Sequence, residues 1–385
     1  MIASILAGSL APAAHAFEFS PVIDFPDLSQ PRRRADVLLS VVGGYDTNVG
    51  RSPAGSESAD SDLEVVAGLN LVGRTSRSSL DLGCEYRAER HGSRDEFDFD
   101  ESILKAGFAW RTRKAAFSLA GRLASLADPV DVETLDFSIL RRTETFATLT
   151  AGLTLGKTEL GVGYRSSLLD HEEASLGYLD HGDSGFEAEI RVGRPEAMQY
   201  FVHFDSGGID YDVFDPAHPR PDFDYQRIYL GWRSRTETRS AVEFGAGTQT
   251  AKGTFLPGGS VIYVTASAVM VRQDGASALE AAYSRGVEAA ATADCKLSSR
   301  VLARYSKKVN PRERWYAGVR WEGSEFLNPE DPAAGTLAVT IADVGIEYAV
   351  GSPYGWHGKL YAGLTTETGD AYDRLRARAG LAVTY

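Results

Sequence analysis

Three arginines stand at every second position near the end of the chain: Arg374, Arg376 and Arg378. In an extended strand, alternate side chains project from the same face, about 6–7 Å apart. A guanidinium donates paired hydrogen bonds to carboxylates and phosphates, so such a row would attract an anionic or hydroxyl-rich solute. We expect Lys359, on the preceding segment, to extend this row.

Other charged residues have the same spacing and widen the set of candidate binding residues. They alternate with apolar side chains, for example within residues 186–192 and 227–233. Such charges would be very costly in a protein core, but around a water-filled lumen they cost little and set selectivity. The alternative is a set of structural salt bridges without a transport role. The further candidates are Glu187, Glu189, Arg191, Arg227, Arg233 and Arg320.

The segment Gly182-Asp183-Ser184-Gly185 has residue types that resemble the nucleophile segment of chymotrypsin-like proteases. A nucleophilic serine needs a histidine base and an orienting acid within hydrogen-bond reach. The other sequence segments of that family are missing from this chain. The segment is therefore interpreted as a turn that leads into a strand, and the sequence predicts no catalytic residue and no enzyme.

Metal binding is considered at two places. The pairs Asp170-His171 and Asp180-His181 lie in one gap between strands, and several aspartates lie within residues 210–224. Imidazoles and carboxylates are metal ligands, but ordinary loop polarity explains both groups equally well. The acidic stretch also lacks the spacing of a twelve-residue calcium loop. We predict no metal site and no cofactor.

The elements that position these residues are β-strands. Between positions 374 and 385, the residues that alternate with the arginines end on Leu381, Val383 and Tyr385, and all are apolar. One face therefore suits hydrocarbon and the other suits water. The alternative is the edge strand of a soluble sheet, but the same alternation recurs along nearly the whole of residues 35–385.

About eighteen strands can be counted, with sixteen possible, and short and long gaps take turns between them. A sheet this wide would have long unpaired edges unless it closed on itself. The sequence therefore predicts an all-β protein, a closed antiparallel transmembrane β-barrel. Short turns should lie on the periplasmic side and long acidic loops outside the cell.

Composition narrows the function classes and the partners. The net charge of −13 argues against nucleic-acid binding. The chain has two cysteines, Cys84 and Cys295, and each shares strand parity with apolar residues. Both should face lipid on strands that are far apart, so we expect no disulfide.

The N-terminal part of the chain divides into two predicted segments. Residues 1–16 are short, apolar and end on Ala14-His15-Ala16, which predicts a secretory signal peptide cleaved after Ala16. Residues 17–34 contain Pro21, Pro26 and Pro31 and are predicted to be a periplasmic extension. No later stretch reaches about 18 uncharged apolar residues, so we expect the protein to cross the inner membrane.

The segment Gly43-Gly44-Tyr45-Asp46-Thr47-Asn48-Val49 contains the pattern Gly-x-Tyr-Asp-x-Asn-Val in the first strand. This pattern resembles the β-barrel porin-2 family of outer-membrane barrels, whose members often accompany exopolysaccharide machinery. The resemblance implies a conduit for exopolysaccharide export in the outer membrane of a Gram-negative-type bacterium. The alternatives are a general diffusion porin for small hydrophilic solutes or a plugged structural barrel.

The same interpretation implies several partners. They are outer-membrane lipid, the assembly machinery that recognises a terminal strand ending in Phe or Tyr, and periplasmic polysaccharide-export components.

Overall fold

The protein is described by a computed structural model, and its described residues form eighteen β-strands, β1 to β18 in chain order. The described residues are 32–49, 57–129, 139–194, 198–212, 222–235, 240–252, 260–271, 276–288, 293–329, 336–351, 357–369 and 373–384. The strands are Arg32–Asp46, Asp60–Arg74, Ser78–His91, Phe99–Arg111, Ala115–Pro129, Ile139–Leu155, Thr158–His171, His181–Gly193, Gln199–Tyr211, Phe223–Arg235, Ala241–Lys252, Ser260–Val271, Ser277–Glu288, Ala293–Lys308, Glu313–Pro329, Thr336–Gly351, His357–Gly369 and Asp373–Thr384.

The sheet closes on itself, as the sequence predicts. Each strand pairs antiparallel with its neighbours in the chain, and β1 pairs with both β2 and β18. The closing register runs from Leu38 opposite Thr384 to Asp46 opposite Arg376. Among the described residues, the strand count of eighteen is the larger of the two that the sequence allows.

The two rims of the barrel differ in their connections. Arg74 and Ser78 bound one tight turn, and Leu155 and Thr158 bound another, in which Gly156 takes the left-handed conformation with φ +69°. The opposite rim carries longer connections, two of which contain 3₁₀ turns at Asp95–Phe97 and Ala174–Leu179. Since long loops face the cell exterior in such barrels, this long-loop rim is the outer mouth.

An apolar belt surrounds the barrel. Large apolar side chains on its outer face have exposed fractions from 37% at Trp321 to 68% at Ile262. The residues between them point inward and are mostly polar or charged. Among the described residues, no helix is long and apolar enough to cross a membrane. Typical belt residues are Leu39, Leu63, Leu82, Leu104, Leu119, Leu149, Val162, Ile190, Val202, Leu230 and Phe244.

The predicted segment boundaries are only partly covered. The predicted signal peptide, residues 17–31 of the predicted extension and Tyr385 lie outside the described residues. The first strand begins at Arg32, three residues before the predicted start of the barrel at 35. Arg32, Arg33 and Arg34 therefore pair with β2 and belong to the barrel wall.

Candidate functional site

The arginine row lies on the inner face of β18, near the outer mouth. Leu375 and Leu381, which have the opposite parity on the same strand, have exposed fractions of 39% and 41% on the outer face. Closure of the barrel places the row between β17 and β1, with Arg376 opposite Asp46. The sequence therefore predicted the face of these residues correctly.

Each arginine of the row already binds a carboxylate of the wall. The Nε atom of Arg374 donates to Asp46 over 2.7 Å. Arg376 donates to Asp62 over 2.9 Å. Arg378 donates to Glu64 over 3.0 Å. Asp46 ends β1, and Asp62 lies two residues after the start of β2, so both acids hold the row near the outer mouth.

A second layer of charges completes this network. Glu89 accepts hydrogen bonds from Arg376 and, over 3.0 Å, from Arg378. Arg87 donates to Glu64 over 2.7 Å and to Glu89 and Glu101, each over 3.2 Å. The network thus spans five adjacent strands, from β18 through β1 to β4.

We call this network, with Glu367, the terminal-strand cluster. Glu367 lies 3.6 Å from Arg374. The guanidiniums of the terminal-strand cluster belong to Arg87, Arg374, Arg376 and Arg378. Its carboxylates belong to Asp46, Asp62, Glu64, Glu89, Glu101 and Glu367. Four positive charges thus face six negative ones.

The arginine row is therefore not a free cationic surface. Strand spacing is about 4.8 Å, so an arginine reaches across the adjacent strand to acids on the next one. Asp62 and Glu64 come from β2 and Glu89 comes from β3, so the row reaches past β1 to these acids.

Lys359 does not extend the row. Its Nζ atom lies 3.4 Å from Glu347 on the neighbouring strand β16. In the register of β17 with β18, Lys359 is level with Ala382, whereas Arg378 is level with Gly363. Tyr361 points inward between the two levels and separates Lys359 from the row.

The inner face of β7 to β11 holds most of the other candidate residues. Arg191 binds Glu189 and lies 3.7 Å from Glu159. Glu189 also contacts the Nδ1 atom of His203 over 3.1 Å. Glu187 lies against Gly163, where an added methyl group would collide with its carboxylate. These residues form a connected polar wall, as their shared parity indicates.

Arg227 combines an ion pair with an aromatic contact. Its Nη1 atom lies 3.3 Å from Asp205, and its guanidinium stands 4.3 Å from the ring centroid of Tyr263. Tyr229 lies next to Tyr263, with ring centroids 5.0 Å apart, and stacks on His203 at 4.7 Å. The aromatic part of this wall was missed, although it alternates with Ile228 and Leu230 in the sequence.

Arg233 and Arg320 have different surroundings. Arg233 is buried, donates to Gln199 over 2.7 Å and lies 3.8 Å from Glu243. Arg320 is half-buried on the inner face of β15, between the exposed, outward-facing Val319 and Trp321. Within the described residues, no carboxylate forms an ion pair with Arg320. This arginine is the candidate residue best placed to meet a solute.

The ends of β13 to β15 fold into the lumen. Pairing between β12 and β13 stops at Val264 opposite Arg285. Beyond that point, the side chain of Gln249 on β11 accepts from the N–H of Val287 over 2.9 Å and donates to its carbonyl over 3.1 Å. The end of β13 has therefore left β12 and lies against the inner face of β11.

This arrangement buries an apolar cluster inside the barrel. Residues on the outer face of β13 to β15 pack against inward residues of β9 to β11. We call this group the inner apolar cluster: Ile209, Phe223, Tyr225 and Ala251 from the wall, and Val287, Cys295, Leu297 and Leu327 from the folded ends. The folded ends narrow the outer mouth on this side.

The expectation that Cys295 faces lipid is wrong. Its exposed fraction is 0%, whereas Cys84 is exposed on the outer face as predicted. Cys295 has the parity of the exposed Val301 and Tyr305, but the outer face of its strand turns inward at the mouth. Neither cysteine forms a disulfide bond.

Side chains from neighbouring strands pack over the inward-facing glycines. An added methyl at Gly245 would come within 2.8 Å of the ring of Tyr229. At Gly345 it would collide with the ring of Tyr316, which lies over the adjacent β16. At these positions the absence of a side chain makes room for an aromatic ring of the wall rather than for solute.

The residues that could supply a serine nucleophile or metal ligands do not form a common site in the described part of the chain. Ser184 lies within β8 and points outward, opposite Gly208. His171 contacts Asp180 over 2.9 Å, while His181 contacts the carbonyl of Leu179. Across the described ranges, no group of three or more histidine, cysteine or acidic residues could hold a metal. That the protein is not an enzyme stays a prediction.

A closed sheet that pairs its backbone groups between strands, with an apolar belt outside and charged residues inside, is suited to a bilayer. The chain is an outer-membrane β-barrel. No family model and no curated protein matches the chain. The resemblance to the β-barrel porin-2 family therefore gains no support beyond the barrel itself.

Several solved structures are similar. Pseudomonas aeruginosa OccK9 (OpdG) is 13% identical, with 91% of this chain and 98% of that chain covered and a TM-score of 0.49. Pseudomonas aeruginosa OccK7 (OpdD) is 13% identical, with 92% of this chain and 99% of that chain covered and a TM-score of 0.48. Acinetobacter baumannii OccAB3 is 10% identical, with 92% of this chain and 99% of that chain covered and a TM-score of 0.45. At these TM-scores the matches carry no argument about function.

Proposed function

We propose that the barrel is a diffusion channel for small hydrophilic solutes across the outer membrane. The observation that carries this proposal is the composition of the inner wall. Charged residues line it on both sides, yet most of them are already paired with each other. Such a wall presents a polar surface to water and small solutes without a strong binding site along the whole path.

The folded ends of β13 to β15 support the proposal that the permeating solutes are small. An eighteen-stranded barrel of full width encloses an aqueous channel. Here the inner apolar cluster occupies part of that space near the outer mouth. The narrowed mouth would favour compact molecules over a polymer chain.

The export of an exopolysaccharide has less support. Its residue-level basis was a free row of arginines that would guide an anionic or hydroxyl-rich polymer. Arg374, Arg376 and Arg378 instead donate to acids of the wall. A polymer would have to displace these buried carboxylates before it could bind the row.

The proposal is tested by swelling of liposomes that contain the purified barrel. Sugars of increasing size, from a pentose to a tetrasaccharide, are added outside, and the initial swelling rate is compared with that of protein-free liposomes. We expect fast entry of the pentose and a steep fall with size. Equal entry of all sugars, or none of any, would contradict a narrowed diffusion channel.

A further inference from the structure

A cavity lies in the outer wall, away from the lumen. Its volume is about 340 Å³, and its lining comes from two cross-strand rows of β8 to β11. Inward residues between these rows, such as Tyr225 and Ala251, are buried on the other side of the sheet. The lining includes Phe186, Ser206, Gly208, Asp224, Gln226 and Lys252.

The cavity is deep because β9 carries small residues there. Ser206 stands between Phe186 and Gln226, and Gly208 stands opposite Asp224. The carboxylate of Asp224 leans over Gly208, and its Oδ1 atom would lie 3.1 Å from an added methyl group. A larger residue at 208 would therefore displace Asp224 or fill the cavity.

The position of the cavity along the strands places it at the outer lipid headgroups. Toward the middle of the membrane, the same strands carry Phe204 and Leu230 on the outer face, with exposed fractions of 40% and 67%. On the other side, β9 ends at Tyr211 and the long-loop rim begins. Aromatic and polar side chains at this level contact the interfacial layer of the outer leaflet.

The lining combines groups that together fit a phosphorylated sugar. Phe186 has an exposed fraction of 66%, its ring centroid is 4.9 Å from that of Tyr164, and it offers an apolar face to a sugar ring. Asp224 and Gln226 can bond hydroxyl or amide groups. Lys252, level with Asp224, can pair with a phosphate.

We propose that this outer-wall pocket binds the phosphorylated sugar headgroup of an outer-leaflet glycolipid, whose acyl chains lie along the apolar belt. A simple phospholipid fits less well, since it offers a phosphate to Lys252 but no sugar ring to the exposed face of Phe186. The pocket is independent of transport, because a barrel that conducts nothing could still hold the lipid.

The test is native mass spectrometry of the detergent-purified barrel. The protein is incubated with a phosphorylated diglucosamine lipid (lipid A) and, separately, with phosphatidylglycerol. The variant Phe186→Ala/Lys252→Gln removes two exposed groups without burying a new one. The matched control is Phe108→Ala/Lys307→Gln, which changes an exposed phenylalanine and an exposed lysine of the outer surface elsewhere.

We expect the wild type and the control to retain lipid A. The Phe186→Ala/Lys252→Gln variant should retain about tenfold less, which corresponds to a loss of about 1.4 kcal/mol in binding free energy. Equal retention by all three proteins would overturn the proposal. Equal retention of phosphatidylglycerol by the wild type would overturn the assignment of a sugar.

Gly208→Leu fills the pocket, so a folded barrel with this substitution should retain about tenfold less lipid A as well. The heat-modifiable mobility of the barrel on gels shows whether it does. If a folded Gly208→Leu barrel retains lipid A as the wild type does, the lipid binds elsewhere and the proposal fails.

Discussion

The two sides of the barrel interior are held in different ways. On one side, the terminal-strand cluster joins six strands, β17, β18 and β1 to β4, whose pairing is continuous, and its carboxylates are mostly buried. On the other side, the ends of β13 to β15 leave the sheet and are held by apolar packing and by Gln249. The first side is a fixed wall, and the second is an element that could move.

The largest loss of stability is expected from a substitution in the fixed wall. Arg378 touches Asp62, Glu64 and Glu89, so Arg378→Gln leaves three close carboxylates with less compensation. Removing one partner from a buried ion-pair network costs about 3–5 kcal/mol. The measurement is urea unfolding of the barrel in lipid vesicles, followed by its heat-modifiable mobility.

Two variants control this result. Arg320→Gln, on the same inner surface but without an ion pair in the described part, should change stability by less than about 0.5 kcal/mol. Adding Glu64→Gln to Arg378→Gln removes one of the stranded charges and should recover part of the loss. If Arg378→Gln is no worse than Arg320→Gln, the cluster is not a structural wall.

A smaller effect is expected at the folded ends. Gln249→Ala removes both hydrogen bonds to Val287, which contribute about 1–3 kcal/mol together. Opening of the ends should then increase roughly 5- to 150-fold. In a Cys84→Ser background, the rate at which Cys295 reacts with a maleimide reports this opening. An unchanged rate would mean that Gln249 does not hold β13.

The sequence predicted the strands and the faces because both depend on local alternation. It could not predict which charges pair, since Asp62 and Glu64 approach Arg376 and Arg378 only when the barrel closes. It also could not predict the folded ends. The parity of Cys295 and Leu297 is the same whether their face meets lipid or the inner wall, so period two cannot separate the two environments.

The smallest effect concerns selectivity. Arg320 is the candidate cation without an ion pair in the described residues, so Arg320→Gln should shift the zero-current potential in a salt gradient toward cations. Arg233→Gln serves as a comparison, because Arg233 is buried against Gln199 and lies near Glu243. A larger shift from Arg233→Gln than from Arg320→Gln would show that pairing does not decide which charges the permeant ions meet.

Single-channel recording of the wild-type barrel in a planar bilayer tests the proposed function most directly. A diffusion channel should give discrete current steps in potassium chloride, and the Gln249→Ala variant should give larger or more frequent openings through its released mouth. A correctly folded barrel that adds no conductance to the bilayer would contradict the channel and leave a plugged structural barrel.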